Sequence, residues 1–478
     1  MTNRRKYRRL KLREPLDLAV AFKILRSILK TPRYGGYVRY IELNRSPSLD
    51  YGSVQSYTVK PPQRSLRPKD QVRLAAAIKR AGFCSPEEQE KMLNILLQNP
   101  ASMDHNDPRA PFLAQALAAL LVSVSPLLES LSFCPLGQEP SQIPKKTAQA
   151  NGAPLRKSDY FFKHFLDRAN SIPLETLPFL HHIRRVRFLV DSDTKVHRWY
   201  YYQPYDLYGS LSLVRRLPAV ESIRVDAVTS TERPSIEPPP RSANYTSITI
   251  RNSNVDYHYL VRIIESARRL EEFTYAVGGR GSMDGMLSMF SPDHVFRALL
   301  LHADSLITLD LDVEAETPLE VTFDPSLGSL HQPAYQQEVG TVQREQGSPC
   351  SLRGLTNLRE LSIGIHTLYY LSRGVGADQV DDAAFSLVDY LPVNLETLCI
   401  YGYEKGMKSQ VRDLPDCVFD RQLENLLAEK REKLPRLSYI EGIDELIENA
   451  TTVKQPTIND EDLWERETDD EWTDHEYD

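Results

Sequence analysis

A short alternation of apolar and polar positions recurs along the chain. Its form is apolar-x-x-apolar-x-apolar, as in LRELSI at Leu358–Ile363. Because side chains alternate between the two faces of a β-strand, each copy predicts a short strand with one buried face. A scan finds ten copies, with central apolar residues Ile41, Leu131, Val186, Ile223, Ile248, Phe273, Leu309, Leu361, Leu398 and Ile440.

Segments with helical periodicity precede several of these copies. Ser85 is a capping residue, Pro86 occupies the first helical position and Glu88 follows the cap by three residues, a combination that predicts a helix start. The spacing of apolar residues predicts further helices at Phe112–Val124, Tyr160–Ala169, Tyr257–Ala267 and after Ser291.

A helix, a short strand and a loop that recur together are typical of leucine-rich-repeat solenoids. Burying three aliphatic side chains contributes about 5–9 kcal/mol, less than the entropy cost of ordering a unit of about 25 residues. Each unit therefore depends on stacking against its neighbours. We predict an α/β fold, specifically an irregular leucine-rich-repeat-like solenoid. The alternative is a compact α/β domain in which strands and helices alternate.

The spacing of the copies predicts the domain organisation. The intervals between central residues run from 25 to 90 residues, which indicates an irregular array with insertions. The predicted insertions are at about 136–157, 229–243 and 313–350, which are rich in Pro, Gly, Ser or polar residues. The predicted units are a basic leader at 1–19, a solenoid at 20–448 and an acidic tail at 449–478, with disordered termini.

The amino-acid sequences of the repeats resemble those of fungal F-box-type leucine-rich-repeat proteins. The resemblance rests on YGGYVRYIELN (Tyr34–Asn44), VFRALLLHADSLITLDLD (Val295–Asp312), LTNLRELSIG (Leu355–Gly364) and YLPVNLETLCIYG (Tyr390–Gly402). It implies a substrate-recognition subunit of a cullin–RING ubiquitin ligase, with a Skp-type adaptor and a cullin as partners. The F-box module itself is not recognisable, and Glu14–Leu18 is the nearest approach to its Leu-Pro-acidic start.

Charge and composition exclude several classes of protein. The net charge of −7 is unevenly placed, with a basic first 15 residues and an acidic C-terminal stretch that would repel nucleic acid. No apolar run is long enough to span a membrane, and the N-terminus lacks the apolar region of a secretory signal. Five irregularly spaced cysteines are typical of a reducing compartment. We therefore expect a cytoplasmic or nuclear protein, monomeric outside a complex, that binds neither nucleic acid nor membrane.

The sequence carries no signature of a P-loop, a zinc protease, an α/β-hydrolase or a kinase. Asp310 and Asp312 share one face of a predicted strand, where paired carboxylates can do acid–base work or hold a divalent cation. A solvated acidic face is the simpler interpretation of this pair. We predict no catalytic residue, no cofactor and no metal, and hence a protein that is not an enzyme.

The positions between the apolar residues predict an exposed face that could bind a partner. Charged and aromatic side chains occupy these positions unevenly, so that a basic patch lies beside an acidic one. The predicted partner-binding residues are Arg185, Arg187, Arg224, Arg251, Glu272, Asp310, Asp312, Glu360 and Tyr401. A two-signed surface steers a partner and fixes its register. The alternative is that these positions are charged for solubility alone.

The most specific hypothesis is therefore a non-catalytic receptor, related to F-box substrate adaptors, that holds a client protein by recognition alone. A stand-alone leucine-rich-repeat scaffold with no link to ubiquitin is the second hypothesis. An enzyme whose catalytic residues are spread over distant repeats is the third, since no local motif would reveal it.

Overall fold

The chain forms an α/β structure around one long parallel β-sheet. The computed structural model describes residues 6–44, 64–103, 107, 109–136, 160–171, 179–190, 202–231, 234–278, 290–313, 351–373, 385–407 and 418–448. Within these residues, eleven strands form an open sheet and two more form a small second sheet. The predicted α/β class is therefore confirmed.

The strands are short, and the helices lie between them in the sequence. The strands are β1 (Arg9–Lys11), β2 (Tyr40–Leu43), β3 (Ser130–Phe133), β4 (Arg185–Phe188), β5 (Gln203–Tyr205), β6 (Ser222–Asp226), β7 (Val228–Ser230), β8 (Ser247–Arg251), β9 (Glu272–Ala276), β10 (Thr308–Asp312), β11 (Glu360–Gly364), β12 (Thr397–Tyr401) and β13 (Tyr439–Glu441). The helices are α1 (Pro15–Lys30), α2 (Pro68–Arg80), α3 (Pro86–Leu96), α4 (Ala110–Ser123), α5 (Phe161–Ser171), α6 (Leu207–Val214), α7 (Tyr257–Ser266), α8 (Pro292–Leu300), α9 (Ile365–Arg373), α10 (Leu387–Tyr390) and α11 (Val418–Lys433).

The strands of the main sheet lie in the order in which they occur in the chain. All their pairings are parallel, and the order is β1-β2-β3-β4-β6-β8-β9-β10-β11-β12-β13. The central residues of the ten predicted copies are direct neighbours across this sheet, from Ile41 beside Leu131 to Leu398 beside Ile440. The ten predicted strands are therefore confirmed, and the structure adds their mutual register.

A second series of backbone hydrogen bonds joins the residues that immediately precede the strands. The amide of Glu129 donates to the carbonyl of Arg39 at 2.8 Å, and the amide of Arg184 donates to the carbonyl of Glu129 at 2.9 Å. Equivalent hydrogen bonds recur along the sheet. For instance, the amide of Arg359 donates to the carbonyl of Ile307 at 2.9 Å. Each unit thus satisfies the polar backbone groups of its neighbour beyond the strand itself.

Asparagine side chains join some of the units. Asn244, Asn357 and Asn394 each precede the first apolar residue of a copy and donate to a main-chain carbonyl of the preceding unit. The Asn394 amide nitrogen lies 2.7 Å from the carbonyl oxygen of Thr356. The first apolar residue that follows is buried in every case.

The hydrophobic core lies between one face of the sheet and the helices. The apolar rows of the strands belong to one continuous cluster with residues of all the major helices. Every residue of α4 from Ala110 to Val122 is buried, which is the pattern of a helix surrounded by other elements. The one polar side chain there, Gln115, donates to the carbonyl of Leu136 at 2.9 Å. Helices therefore cover one face of the sheet and leave the other face to the alternate side chains.

The N-terminal segment corrects the predicted leader at 1–19. Residues 9–11 form β1, which pairs with β2, and α1 begins at Pro15. Tyr7, Leu10 and Leu12 are buried, and they follow the same apolar-x-x-apolar-x-apolar spacing as the other copies. This is an eleventh copy, hidden by the arginines and lysine between its apolar residues. The Glu14–Leu18 segment, considered as an F-box start, is the capped N-terminus of α1.

The last copy, LSYIEG, ends in glycine where the others carry an apolar side chain. Gly442 has a φ of +83°, a conformation that L side chains rarely adopt. A Cβ at this position would lie 2.0 Å from the carbonyl oxygen of Ile400. The glycine therefore permits the chain to turn closely over β12 at the end of the sheet.

The predicted insertion at 229–243 is partly integrated into the fold. It begins within β7, which pairs with β5. The amide of Ser235 donates to the Asp206 carboxylate at the start of α6, and the amide of Ala243 donates to the carbonyl of Ser266 at the end of α7. The segment thus crosses both helix ends. Residues 137–159 and 314–350, which hold almost all of the other two insertions, lie outside the described residues, as does the predicted tail at 449–478.

Candidate protein-binding face

The face of the main sheet opposite the helices carries the predicted binding residues. We call the side chains there, which alternate with the buried apolar rows, the open face. All nine predicted residues are on it, because they occupy the alternate positions of β4, β6, β8, β9, β10, β11 and β12. Their exposure varies: Arg185, Glu272 and Glu360 are exposed, whereas Asp312 is buried.

Charge divides the open face into two halves. On β1 to β6 five cations accompany two carboxylates, which are Arg9, Lys11, Arg185, Arg187 and Arg224 with Glu42 and Asp226. On β8 to β13 one cation accompanies five carboxylates, which are Arg251 with Glu272, Asp310, Asp312, Glu360 and Glu441. The predicted arrangement of a basic patch beside an acidic one therefore exists along these described strands.

A buried carboxylate organises the basic half. Asp226, only 3% exposed, ends β6 and accepts hydrogen bonds from Nη2 of Arg187 and from Nε of Arg224, both at 3.3 Å. A buried carboxylate requires such partners, since an unpaired buried charge is strongly destabilising. Asp226 thus fixes the orientation of two arginines that the sequence singled out. The hexapeptide pattern ends at Val225, one residue before Asp226, so the pattern gives no signal for this carboxylate.

The backbone after Asp226 is unusual. Ala227 has a φ of +59°, and Asn252, which follows Arg251 on the next strand, has a φ of +49°. Asparagine tolerates this left-handed conformation, but alanine adopts it at a cost of about 1 kcal/mol. The amide of Ala227 donates to the carbonyl of Arg251 at 3.1 Å, which holds the bend in place. The bend directs the chain from β6 into β7 and keeps Asp226 on the open face.

Arg185 contacts an aromatic side chain that the prediction did not include. Its guanidinium carbon lies 5.6 Å from the centre of the Tyr40 ring, and its Nη2 donates to the Tyr40 hydroxyl at 3.3 Å. A guanidinium over a tyrosine ring is stabilised electrostatically while it remains available to solvent. Tyr40 occupies the same row as Arg185 two strands away, and this adjacency is visible only once β2, β3 and β4 are aligned.

An ion pair joins β8 and β10 within the acidic half. Arg251, predicted as part of the basic patch, places Nη2 at 3.9 Å from the Asp310 carboxylate, and the Tyr401 hydroxyl donates to Asp310 at 3.0 Å. Burial raises the pKa of Asp310, although these two partners favour its charged form. The structure therefore brings Arg251, Asp310 and Tyr401 together as one polar cluster rather than as separate patches.

The acidic half also carries a thiol. Cys399 lies on β12 beside Ser362 of β11, in the same row of the open face as Asp310. Burial raises the pKa of the Cys399 thiol to about 11, and the nearby carboxylate of Glu441 contributes to the shift. The thiol is therefore protonated at neutral pH and is a poor nucleophile.

A hydrogen bond also links β10 and β11 at the start of both strands. The Glu360 carboxylate on β11 accepts it from the Thr308 hydroxyl on β10 at 3.1 Å.

Several polar contacts of the open face join its own side chains to one another. Its described side chains pair with one another as arginine–carboxylate, arginine–tyrosine and tyrosine–carboxylate contacts. Among the described residues, no three His, Cys, Asp or Glu side chains are placed to hold one metal ion. In the same part of the chain, no helix has the length and apolar composition needed to cross a bilayer.

No protein-family model matches the sequence. A search of curated proteins also gives no significant match.

Proposed function

We propose that the protein is a non-catalytic receptor that holds a client protein on its open face. In this proposal the array is an irregular leucine-rich-repeat-like solenoid. The observation that carries the proposal is the alignment of eleven copies of one pattern in register across a single sheet. This register places charged side chains from nine strands on one continuous surface.

The dimensions of the open face fit a protein partner. Neighbouring strands are about 4.8 Å apart, so eleven strands extend for about 50 Å. Strands of three to five residues give a width of about 15 Å. The resulting area, on the order of 700 Å², is close to the ~800 Å² that each partner contributes to a standard interface.

The two charge signs define the client. A complementary partner carries carboxylates where it meets Arg185 and Arg224, and basic side chains where it meets Glu272 and Glu360. Such complementarity accelerates association and fixes one register of the partner, because a reversed partner would meet like charges. Asp226 increases this selectivity by holding Arg187 and Arg224 in fixed positions before binding.

The more specific form of the proposal is a substrate-recognition subunit of a cullin–RING ubiquitin ligase. It is supported by the resemblance of the repeats to fungal F-box-type leucine-rich-repeat proteins. The alternative is a stand-alone interaction scaffold, which would use the same face without a Skp-type adaptor. The ligase subunit and the stand-alone scaffold therefore differ only in whether a Skp-type adaptor and a cullin bind the protein together with the client.

A comparison of three tagged full-length proteins in native cells tests the proposal. The first is the wild type, and the second replaces Arg185, Arg187 and Arg224 by Gln. Glutamate is unsuitable at these positions because it would place carboxylates against the buried Asp226. The third is a matched control in which three exposed arginines away from the sheet are replaced by Gln: Arg80, Arg216 and Arg431.

Affinity purification with quantitative mass spectrometry then distinguishes the outcomes. We expect one protein to be enriched with the wild type and the control and to be lost with the open-face variant. Circular dichroism should show all three proteins folded at the assay temperature, although the open-face variant should melt at a lower temperature because Asp226 loses its two counter-charges. Equal recovery with all three would contradict the proposal. A Skp-type adaptor and a cullin in the wild-type eluate would support the ligase form, and their absence beside a lost client would support the scaffold.

A further inference from the structure

A second cluster of cations lies away from the open face, between α1 and α2. Phe22, Arg26 and Lys30 follow one another at four-residue intervals and so share one side of α1. The guanidinium carbon of Arg64 lies 4.1 Å from the centre of the Phe22 ring. Arg64 is therefore stacked on α1 one turn from Arg26. We call Arg26, Lys30, Arg64 and Arg73 the basic cluster.

One carboxylate is placed within this cluster. Asp70, in the first turn of α2 and 6% exposed, lies 2.6 Å from Nη2 of Arg26, 3.3 Å from Nη1 of Arg73 and 3.7 Å from Nζ of Lys30. The hydrogen bond from Arg26 holds the pKa of Asp70 below its ordinary value. Asp70 is thus fully engaged by three cations, and no carboxylate of the described residues forms an ion pair with Arg64.

Three donor atoms of the cluster are shielded from solvent and have no acceptor among the described residues. They are Nε and Nη2 of Arg64 and Nε of Arg26. A buried donor without a partner is destabilising, and such atoms in native proteins commonly mark an ordered water or ion. The unsatisfied positions therefore indicate where an acceptor belongs.

The two unsatisfied donors of Arg64 have a particular geometry. Nε–H and Nη2–H point in parallel from the same side of the planar guanidinium, and this side binds two oxygens of a carboxylate or phosphate at once. Stacking on Phe22 fixes the plane of the group and reduces the entropy lost on binding. Burial, with a contribution from Arg26, lowers the pKa of Arg64 to about 10, so the group remains charged at neutral pH.

We propose that the basic cluster binds a phosphate group, with two oxygens on the side-on donors of Arg64 and a further oxygen on Nε of Arg26. Four cations against one carboxylate leave an excess of three positive charges, which favours a phosphate dianion over a carboxylate. The side chains of Arg26, Lys30 and Arg73 are between 32% and 45% exposed, so the cluster borders solvent, and a shift of these side chains would uncover the shielded donors. The site is independent of the client proposed for the open face.

Calorimetry on the full-length protein with inorganic phosphate tests this site. The titration is made at constant ionic strength against sodium chloride, with sodium acetate in a parallel arm. We expect one equivalent of phosphate to bind the wild type, and acetate to bind more weakly. Arg64→Lys keeps the charge but loses the side-on donor pair, so its dissociation constant should increase roughly tenfold to a hundredfold. Arg67→Lys, an exposed position three residues away, is the matched control and should bind as the wild type does.

Three outcomes would overturn the site: no phosphate binding by the wild type, undiminished binding by Arg64→Lys, or tighter binding of acetate than of phosphate. If Arg64→Lys does not fold, hydrogen exchange of the wild type gives an independent result. Phosphate should then slow exchange in residues 64–73, and protection confined to other regions would refute the proposal.

Discussion

The guanidinium of Arg187 lies 3.3 Å from the carboxylate of Asp226, although 39 residues separate them in the sequence. Arg224 reaches the same carboxylate at an equal distance. The basic half of the open face is therefore a structure in which one buried acid holds two arginines, rather than a set of independent surface charges. Its stability and its binding properties should depend on that acid.

Replacing Asp226 by Ala should lower the free energy of unfolding by about 2–3 kcal/mol, because two partly buried arginines lose their shared counter-charge. Urea denaturation measures the change. Asp304→Ala, at an exposed position, is the control and should change the free energy by less than about 0.5 kcal/mol. Equal effects of the two substitutions would show that Asp226 does not support the arginines.

The central apolar residues of the copies form one row across the sheet. Substitutions in the middle of this row should lower the stability of the protein more than substitutions at its end. Leu361 is fully buried between β10 and β12, whereas Ile440 lies on the last strand and is only half-buried. Leu361→Ala should cost about 2–5 kcal/mol of stability because it leaves a cavity among packed neighbours. Ile440→Ala should cost about 1 kcal/mol. A reversed order in urea denaturation would contradict the register described for the sheet.

Asp70 should make the protein sensitive to acid. Its pKa is lower in the folded protein than in the unfolded chain, so the folded state favours the charged form. This contribution is present above the ordinary carboxyl value near 4 and is lost as the pH falls through the lower folded value. Asp70→Asn should be less stable than the wild type at pH 7, and the difference should shrink towards pH 3. Parallel stability–pH curves for the two proteins would show that Asp70 has no such role.

Cys399 should react slowly and report on occupancy of the open face. With its pKa raised to about 11, the thiol has little thiolate at pH 7.5. In a variant that retains only Cys399, iodoacetamide should react at least about tenfold more slowly than in a variant that retains only the exposed Cys84. Mass spectrometry of the alkylated protein gives both rates. A captured client should slow Cys399 further and leave Cys84 unchanged.

The sequence by itself determined the strands and their faces. Alternation at Leu358–Ile363 and its equivalents is a local property, because the two faces of a strand follow from backbone geometry alone. The register was not predicted from the sequence, but it follows the repeated pattern, since equivalent residues of the copies are neighbours in the sheet. The eleventh copy at Tyr7–Leu12 obeys the same rule, but its basic composition is also typical of a disordered leader, which was the wrong prediction.

Only the tertiary structure decided which side chains meet. Asp226 lies outside the repeated hexapeptide, and its partners come from two strands, so no local spacing identifies it. The order of charges along the sequence places Arg251 with the basic residues, but only β9 separates β8 from β10, so Arg251 can pair with Asp310. The Arg64–Phe22 stack joins segments 42 residues apart that contain no recognisable motif. Pairings of this kind depend on distances across packed elements, and a single sequence contains the residues but not those distances.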